Sequence, residues 1–126
     1  MKLINKILCA SLIAMPLIAN AGHLKITNDS KYDLSFKVDN ICSDAFGNVN
    51  SKTIKIVSEA AFKKACVVNP NFCVLTVYNK ANCKGKNFIG LGFDTETGMS
   101  SFIPGSNFVP MTTSISAFDI SFKSPV

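Results

Sequence analysis

The chain has 126 residues and a formal net charge of +5, carried by lysines alone, because it contains no arginine; it also contains no tryptophan. This length is typical of one domain, so we expect a single domain and not a multidomain protein. Arginine and tryptophan are the side chains that most often read phosphates and anchor interfaces, so we expect no nucleic-acid partner.

Residues 1–21 have the pattern of a secretory signal peptide. Lys2 and Lys6 flank the start of an apolar run that ends at Ala19-Asn20-Ala21, the small-x-small pattern that signal peptidase cleaves. The run is shorter than the roughly 20 residues of a spanning helix, so we expect no transmembrane segment after cleavage. A signal this brief is typical of bacterial export. We therefore expect a secreted or periplasmic protein with one domain over residues 22–126, in which the remaining lysines outnumber the acidic residues by three.

The cysteines predict two disulfides. Four remain after the signal, and an even number in an exported chain indicates bonded pairs, with three pairings open. Zinc is disfavoured because no C-x2-C pair occurs and the sole histidine is distant. Cys73 and Cys83 flank a predicted strand and are too far apart to bond. We therefore prefer the pairs Cys66–Cys73 and Cys42–Cys83.

Alternation of apolar and polar residues predicts strands in the first half of the chain. Residues 24–27 and 34–38 flank a turn over 28–31, which indicates a hairpin with one face in solvent. A loop over 42–51 follows, and Ile54 and Ile56 mark a third strand. Residues 58–65 predict a short helix, with Ser58 as the N-cap and Glu59 in the first turn.

The second half of the chain is also rich in predicted strands. Residues 74–78 are apolar on both faces, as in a central strand, and a turn over 79–85 leads to a strand at 88–93. The run 114–123 changes parity near Ala117, which indicates a bulge or a change of packing partner. About seven strands and at most one short helix predict a mainly all-β fold, a small disulfide-stapled antiparallel β-sandwich or Greek-key domain.

The sequence contains few side chains that are suited to catalysis. The sole imidazole, His23, lies at the mature terminus, and the thiols are expected to be bonded, so neither a Ser-His-Asp nor a Cys-His site is expected. Asp94 and Glu96 would serve the alternative of a small hydrolase acting on cell-wall or host polymers, although acids two positions apart in such a stretch are usually solvated turn residues. We expect no enzyme and no cofactor.

Two weaker sites are visible in the sequence. A cut after Ala21 would leave Gly22 and His23 with an amine, an amide and an imidazole, a donor set that suits Cu(II), but any exported chain with histidine in second place has it. Lys80, Lys84 and Lys86 would form a positive spot for an anionic surface, or would simply be solvated turn lysines.

Residues 73–86 resemble the first hairpin of a βγ-crystallin Greek key. Tyr78 and Gly85 match the pattern, and Cys83 takes the place of the second aromatic. The resemblance implies a folded-over hairpin in which a disulfide at Cys83 replaces aromatic packing. Residues 112–116 look like the serine-rich strand that closes such a motif, but Val109-Pro110 precedes it where calcium-binding members have acidic or amide residues, so calcium is not implied.

The segment that contains Cys66 and Cys73, followed by Tyr78 and Gly85, is also similar to small secreted crystallin-like protease inhibitors. The similarity covers about residues 78–116 and implies a chain that binds a protease.

The segment 94–110 is the predicted working surface. It places Met99, Phe102, Ile103 and Phe108 among small and turn-forming residues, which indicates an exposed recognition edge, unless these side chains pack inward. The sequence thus favours an exported domain that binds a protein partner, such as a protease or a host-surface component. The alternatives are the hydrolase and a structural or adhesive envelope protein.

Overall fold

The structure, a computed structural model, describes residues 23–125 apart from the side chains of Met99 and Ser100. The predicted signal peptide and Gly22 therefore lie outside the described residues. Within the described part of the chain, ten strands form two sheets, and one short helix packs against them. The prediction of a mainly β, sandwich-like domain is confirmed.

The four-stranded sheet combines strands from both ends of the chain. Its order is β5 (Thr53–Val57), β1 (Leu24–Asp29), β10 (Asp119–Lys123) and β9 (Thr112–Ser116). The β1 and β10 strands run parallel, whereas the other two pairs are antiparallel. The first and last strands of the domain are therefore neighbours at the centre of this sheet.

The six-stranded sheet is antiparallel throughout. Its path is β3 (Ile41–Cys42), β2 (Leu34–Val38), β6 (Cys73–Tyr78), β7 (Asn87–Asp94) and β8 (Gly98–Pro104), and β4 (Asn48–Val49) also pairs with β2. The central place that the sequence predicts for residues 74–78 is confirmed, because β6 has a neighbour on each side. The β8 strand is an edge, paired with β7 alone among the described strands.

The core lies between the inward faces of the two sheets. Leu24 and Ile26 of β1 and Leu34 and Phe36 of β2 are fully buried. Phe62 joins the helix to this core through edge-to-face contacts, with ring centroids 5.8–6.3 Å from those of Phe46, Phe93 and Phe118.

The predicted hairpin of β1 and β2 is wrong. These strands lie in different sheets, and each buries its apolar side in the space between them. The connection is fixed by the buried side chain of Asn28, whose Nδ2 donates to the carbonyls of Tyr32 at 2.8 Å and Val49 at 2.9 Å. Turn residues between the strands carry the chain from one sheet to the other.

Residues 114–123 form two strands rather than one. Ala117 and Phe118 make the turn between β9 and β10, and Ala117 has a left-handed φ of 50°. The change of parity near Ala117 is therefore a hairpin turn, and not a bulge in a continuous strand.

The third predicted strand is present as β5, but its two isoleucines lie on the outside. Ile54 and Ile56 are 60% and 53% exposed, while Lys55 lies opposite buried Ile26 of β1. An inward lysine on an edge strand discourages pairing with another chain. The β5 edge is therefore protected despite its exposed apolar side chains.

Helix α1 (Glu59–Ala65) begins and ends as predicted. The Ser58 side chain caps it by accepting a hydrogen bond from the Ala61 N–H at 3.2 Å, and Glu59 in the first turn pairs with Lys63 at 3.0 Å. Among the described residues, no helix has the length and hydropathy needed to cross a bilayer.

Both disulfides have the pairing preferred from the sequence. Cys42–Cys83, which we call the long-range disulfide, joins positions 41 apart, with a Cα separation of 5.8 Å. Cys66–Cys73, the short-range disulfide, joins positions 7 apart, with a Cα separation of 5.4 Å. Because all four sulfurs are bonded in pairs, none is available as a zinc ligand.

Candidate binding site

The four residues predicted to bind a partner do not lie in one loop. Three of them are in the edge strand β8, and the fourth, Phe108, is in residues 105–111, here called the Phe108 segment, which connect β8 to β9. Phe102 lies opposite Leu91 and is 51% exposed, whereas Ile103 faces the other side of β8 and packs on Gly90. Met99 is in the same strand, but its side chain is outside the described residues. Because successive side chains of a strand point to opposite sides, the β8 residues of the predicted recognition edge lie on two different faces of that strand.

Phe108 is the most exposed large apolar side chain of the described residues, at 86%. The segment that carries it is fixed to the start of β7 through Asn87. The Asn87 Oδ1 accepts a hydrogen bond from the Ser106 N–H at 2.8 Å, and the Asn107 N–H donates to the Asn87 carbonyl at 3.1 Å. The backbone on the N-terminal side of Phe108 is thus held in place while its ring remains in solvent.

The predicted lysines are on the connection between β6 and β7, which we call the lysine turn (residues 79–86). Two hydrogen bonds close this turn: the Asn79 N–H donates to the Lys86 carbonyl at 3.1 Å, and the Lys86 N–H donates to the Asn79 Oδ1 at 2.8 Å. Gly85 has a φ of +78°, and a Cβ there would lie 2.5 Å from the Asn79 Oδ1. Glycine is therefore required for this closure.

Contacts from distant parts of the chain hold the lysine turn. The buried Ser35 hydroxyl donates to the Lys80 carbonyl at 2.5 Å and accepts from the Cys83 N–H at 2.7 Å. The Asn48 Oδ1 accepts from the Asn82 N–H at 2.9 Å, and its Nδ2 donates to the Asn82 Oδ1 at 3.1 Å. Together with the long-range disulfide, these contacts retain left-handed backbone at Asn82 and Cys83, with φ of 60° and 57°.

The lysine turn and the Phe108 segment face each other across a cleft of about 380 Å³, which we call the lysine cleft. Its lining comprises Tyr32, Asn79, Lys80, Gly85, Lys86, Phe108, Val109 and Pro110. The third predicted lysine, Lys84, is on the same turn but outside the lining. The structure thus brings two of the three predicted lysines together with Phe108, the predicted aromatic that is most exposed.

The lysine cleft is electrostatically positive. No carboxylate among residues 23–125 forms an ion pair with Lys80 or Lys86. The Lys31 ammonium adds charge nearby, since it lies 5.4 Å from the centroid of the Tyr32 ring. An acidic group on a ligand would therefore meet uncompensated ammonium groups here.

The carboxylates of the alternative hydrolase are engaged in structural contacts. The Asp94 Oδ1 accepts from the N–H groups of Glu96 and Thr97 at 2.7 and 3.2 Å, which shapes the turn between β7 and β8. The Glu96 carboxylate lies 3.5 Å from the Lys63 Nζ. The Glu59 hydrogen bond and charge, together with Glu96, raise the pKa of Lys63 above its usual value.

The copper alternative depends on Gly22, which is outside the described residues. His23 is half-buried at the start of the described chain. Within residues 23–125, no three His, Cys, Asp or Glu side chains cluster as metal ligands would.

The sequence did not predict Tyr32 as a cleft residue, nor Ser35 and Asn48 as supports of the lysine turn. Ser35 and Asn48 act on residues 48 and 34 positions away, respectively. Contacts between residues so far apart leave no local pattern in the sequence. The preferred pairing of Cys42 with Cys83 was the only signal that linked this part of the chain to the turn.

Comparison with known proteins reveals a similar fold but no family. No family model matches the chain, and no curated protein matches it. A solved structure, that of the Legionella pneumophila type II secretion system substrate NttC, is similar, with a TM-score of 0.66 and 9% sequence identity. The match covers 82% of this chain and 98% of that chain. At this identity the likeness is one of fold.

Proposed function

We propose that this chain is an exported domain that binds a protein partner through the lysine cleft. The exposure of Phe108 carries the proposal. A phenylalanine ring that is 86% exposed gains free energy when a partner covers it, and aromatic side chains in this position are common anchors of interfaces. Lys80 and Lys86 stand in the same cleft and supply charge that a partner can neutralise.

Export is supported by three observations. The first is the signal-like pattern of residues 1–21. The second is the pair of disulfides, which form and persist in oxidising compartments such as the periplasm and the extracellular space. The third is the shared fold with a protein whose structure is described as a type II secretion substrate.

The chemistry of the cleft favours an exposed protein segment with a carboxylate next to an apolar side chain. The carboxylate would approach the ammonium groups of Lys80 and Lys86, while the apolar group would cover Phe108. A nucleic acid fits less well, since the chain has no arginine to contact phosphates or bases. A protease or a host-surface component with such a segment is the class of partner that we propose. The role is binding and not catalysis.

A labelled peptide of alternating aspartate and leucine residues tests this proposal on the oxidised domain. Phe108→Ala should weaken binding by roughly 10- to 100-fold, as expected for losing about 1.5–3 kcal/mol of aromatic burial. The double variant Lys80→Gln and Lys86→Gln should also weaken binding, and it should reduce the dependence of affinity on salt.

Two matched controls locate the site. Phe102→Ala removes another exposed ring outside the cleft, and Lys84→Gln removes a charge from the same turn but outside the lining. Both should retain the affinity of the wild type. If Phe102→Ala weakens binding more than Phe108→Ala, the edge strand β8 is the binding surface and the proposed site is wrong.

The natural partner is tested by capture from host extracts and by inhibition of a panel of proteases. The wild-type domain should capture a protein, or inhibit a protease, that the Phe108→Ala variant does not. Equal capture or inhibition by both forms would show that the partner binds elsewhere.

A further inference from the structure

The long-range disulfide lies between two concave surfaces. Cys83 belongs to the lysine turn, while Cys42 lines a second groove of about 590 Å³ between the start of β3 and one side of helix α1. This helix groove is bordered by Val38, Ile41, Cys42, Ser43, Asp44, Ala45, Ala61, Lys64 and Ala65. Cys42 is exposed, whereas both cysteines of the short-range disulfide are fully buried.

We propose that the long-range disulfide is a thiol-exchange site, at which a small thiol enters the helix groove and attacks Cys42. The mostly apolar lining can accommodate the carbon chain of the thiol, while Lys64 and Asp44 in the same lining can pair with the carboxylate and the ammonium group of a zwitterionic thiol. The effect of the exchange on ligand binding rests on the function proposed for the lysine cleft.

The exchange has two balanced steps. In the first, the thiolate forms a bond to the Cys42 Sγ while the Cys42–Cys83 bond breaks, and the electron pair leaves with the Cys83 sulfur as a thiolate. In the second, another thiolate attacks the external sulfur of this mixed disulfide and releases the Cys42 thiolate. The two external thiols become a disulfide, the protein gains two electrons, and the two protons end on Cys42 and Cys83.

Opening this bond should loosen the lysine turn. Cys83 has a left-handed φ of 57°, which is unfavourable for a residue with a Cβ, and it follows Asn82 with a φ of 60°. After reduction, hydrogen bonds alone oppose the relaxation of this backbone: those from Ser35 and Asn48, and the bond from the Lys84 N–H to the Ala81 carbonyl. Lys80 and Lys86 would then lose their fixed positions in the lysine cleft.

Glutathione is the probe for the exchange. The oxidised domain is incubated with reduced glutathione, sampled over time, quenched with acid, alkylated and mapped by peptide mass. Cys42 and Cys83 should become alkylated at least tenfold faster than the cysteines of the short-range disulfide, and the transient glutathione adduct should be on Cys42. Equal rates for the two disulfides, or an adduct on Cys83, would overturn the proposal.

A pair of helix variants tests the groove itself. Lys64→Gln removes the ammonium that lines the helix groove, and Lys63→Gln is the matched control, because Lys63 is on the same helix outside that lining. Lys64→Gln should slow the reaction with glutathione by about threefold, as expected for losing one attractive charge. Equal rates for the two variants would contradict the role of the groove.

The consequence for the turn is measured without any ligand. Hydrogen exchange at the amides of Asn82 and Cys83 should become at least tenfold faster after reduction, and unchanged exchange would contradict the coupling. Binding of the aspartate–leucine peptide is then compared between oxidised and reduced domains and should be weaker in the reduced form. If the oxidised domain does not bind this peptide, the function proposed for the cleft fails, while the alkylation and exchange results still decide whether the disulfide acts as proposed.

Discussion

Gly85→Ala tests whether the shape of the lysine turn builds the binding cleft. Gly85 has a φ of +78°, and a Cβ added there would lie 2.5 Å from the Asn79 Oδ1 and 2.8 Å from the Lys80 Cγ. The left-handed conformation costs alanine about 1–2 kcal/mol. Displacing the Asn79 side chain also costs its hydrogen bond to the Lys86 N–H, a net loss of about 1 kcal/mol. The free energy of unfolding should therefore fall by about 2–3 kcal/mol.

Gly47→Ala is the matched control for this substitution. Gly47 has a similar φ of +60°, but the nearest atom to its added Cβ is the Lys55 Nζ at 2.7 Å, the end of a flexible side chain that can move away. The free energy of unfolding of this control should fall only by the cost of the left-handed conformation, about 1–2 kcal/mol. Urea denaturation measures both losses.

Peptide binding by the two glycine variants shows whether a substitution changes the lysine cleft itself or only lowers the stability of the whole domain. The affinity of the aspartate–leucine peptide should fall in Gly85→Ala alone, because only that substitution displaces residues of the lysine cleft. Equal losses of stability in the two variants, together with intact binding by Gly85→Ala, would refute the account of the turn.

Three further predictions concern parts of the fold that support the site. Replacing both cysteines of the long-range disulfide by serine should cost about 1.5 kcal/mol more than the same change in the short-range disulfide, because the first closes a loop of 41 positions and the second a loop of 7; urea denaturation showing the opposite order would contradict this. Asn28→Ala leaves the buried Val49 carbonyl without its donor and removes the amide's bonds to the Tyr32 carbonyl and to Ser30, so it should cost about 2–4 kcal/mol in the same assay, whereas a loss below about 1 kcal/mol would show that the amide is dispensable. The raised pKa of Lys63 should fall toward its usual value in Glu59→Gln, as measured by NMR titration, and an unchanged pKa would contradict the pairing. The stabilisation from this pair is fully present below the pKa that Lys63 has in the unfolded chain. It is lost as the pH rises through the pKa that Lys63 has in the folded protein.

The parts of the fold that depend on neighbouring residues were predictable from the sequence. Ser58 and Glu59 identify the start of the helix because N-capping is decided within one turn. The length of the intervening strand was enough to argue against a bond between Cys73 and Cys83. The remaining choice of disulfide pairs followed from the short loop between Cys66 and Cys73.

Sheet membership was not predictable, because it depends on distant partners. Residues 28–31 have the composition of a turn, but that composition does not say whether the chain returns beside β1 or crosses to the other sheet. The crossing depends on the contact between Asn28 and Val49, 21 positions apart. For the same reason, the alternation around Ile54 and Ile56 predicted a strand but did not predict which side of it faces the core.

Individual residues of the candidate site were predicted from the sequence, but their grouping was not. The sequence singled out Lys80, Lys86 and Phe108, each on a local argument about exposure or charge. It grouped Phe108 with Phe102 and Ile103, which are nearer in the chain, instead of with the lysines. The grouping in the structure follows from β7, which begins beside both the lysine turn and the Phe108 segment, and from the hydrogen bonds of Asn87.

Mapping of amide chemical shifts shows directly whether the lysine cleft binds a partner. The ¹⁵N-labelled oxidised domain is titrated with the aspartate–leucine peptide, and with a control peptide in which lysine replaces aspartate. We expect saturable shifts concentrated at residues 79–86 and 105–111 with the first peptide only. Shifts centred on β8, or the same response to both peptides, would contradict this expectation.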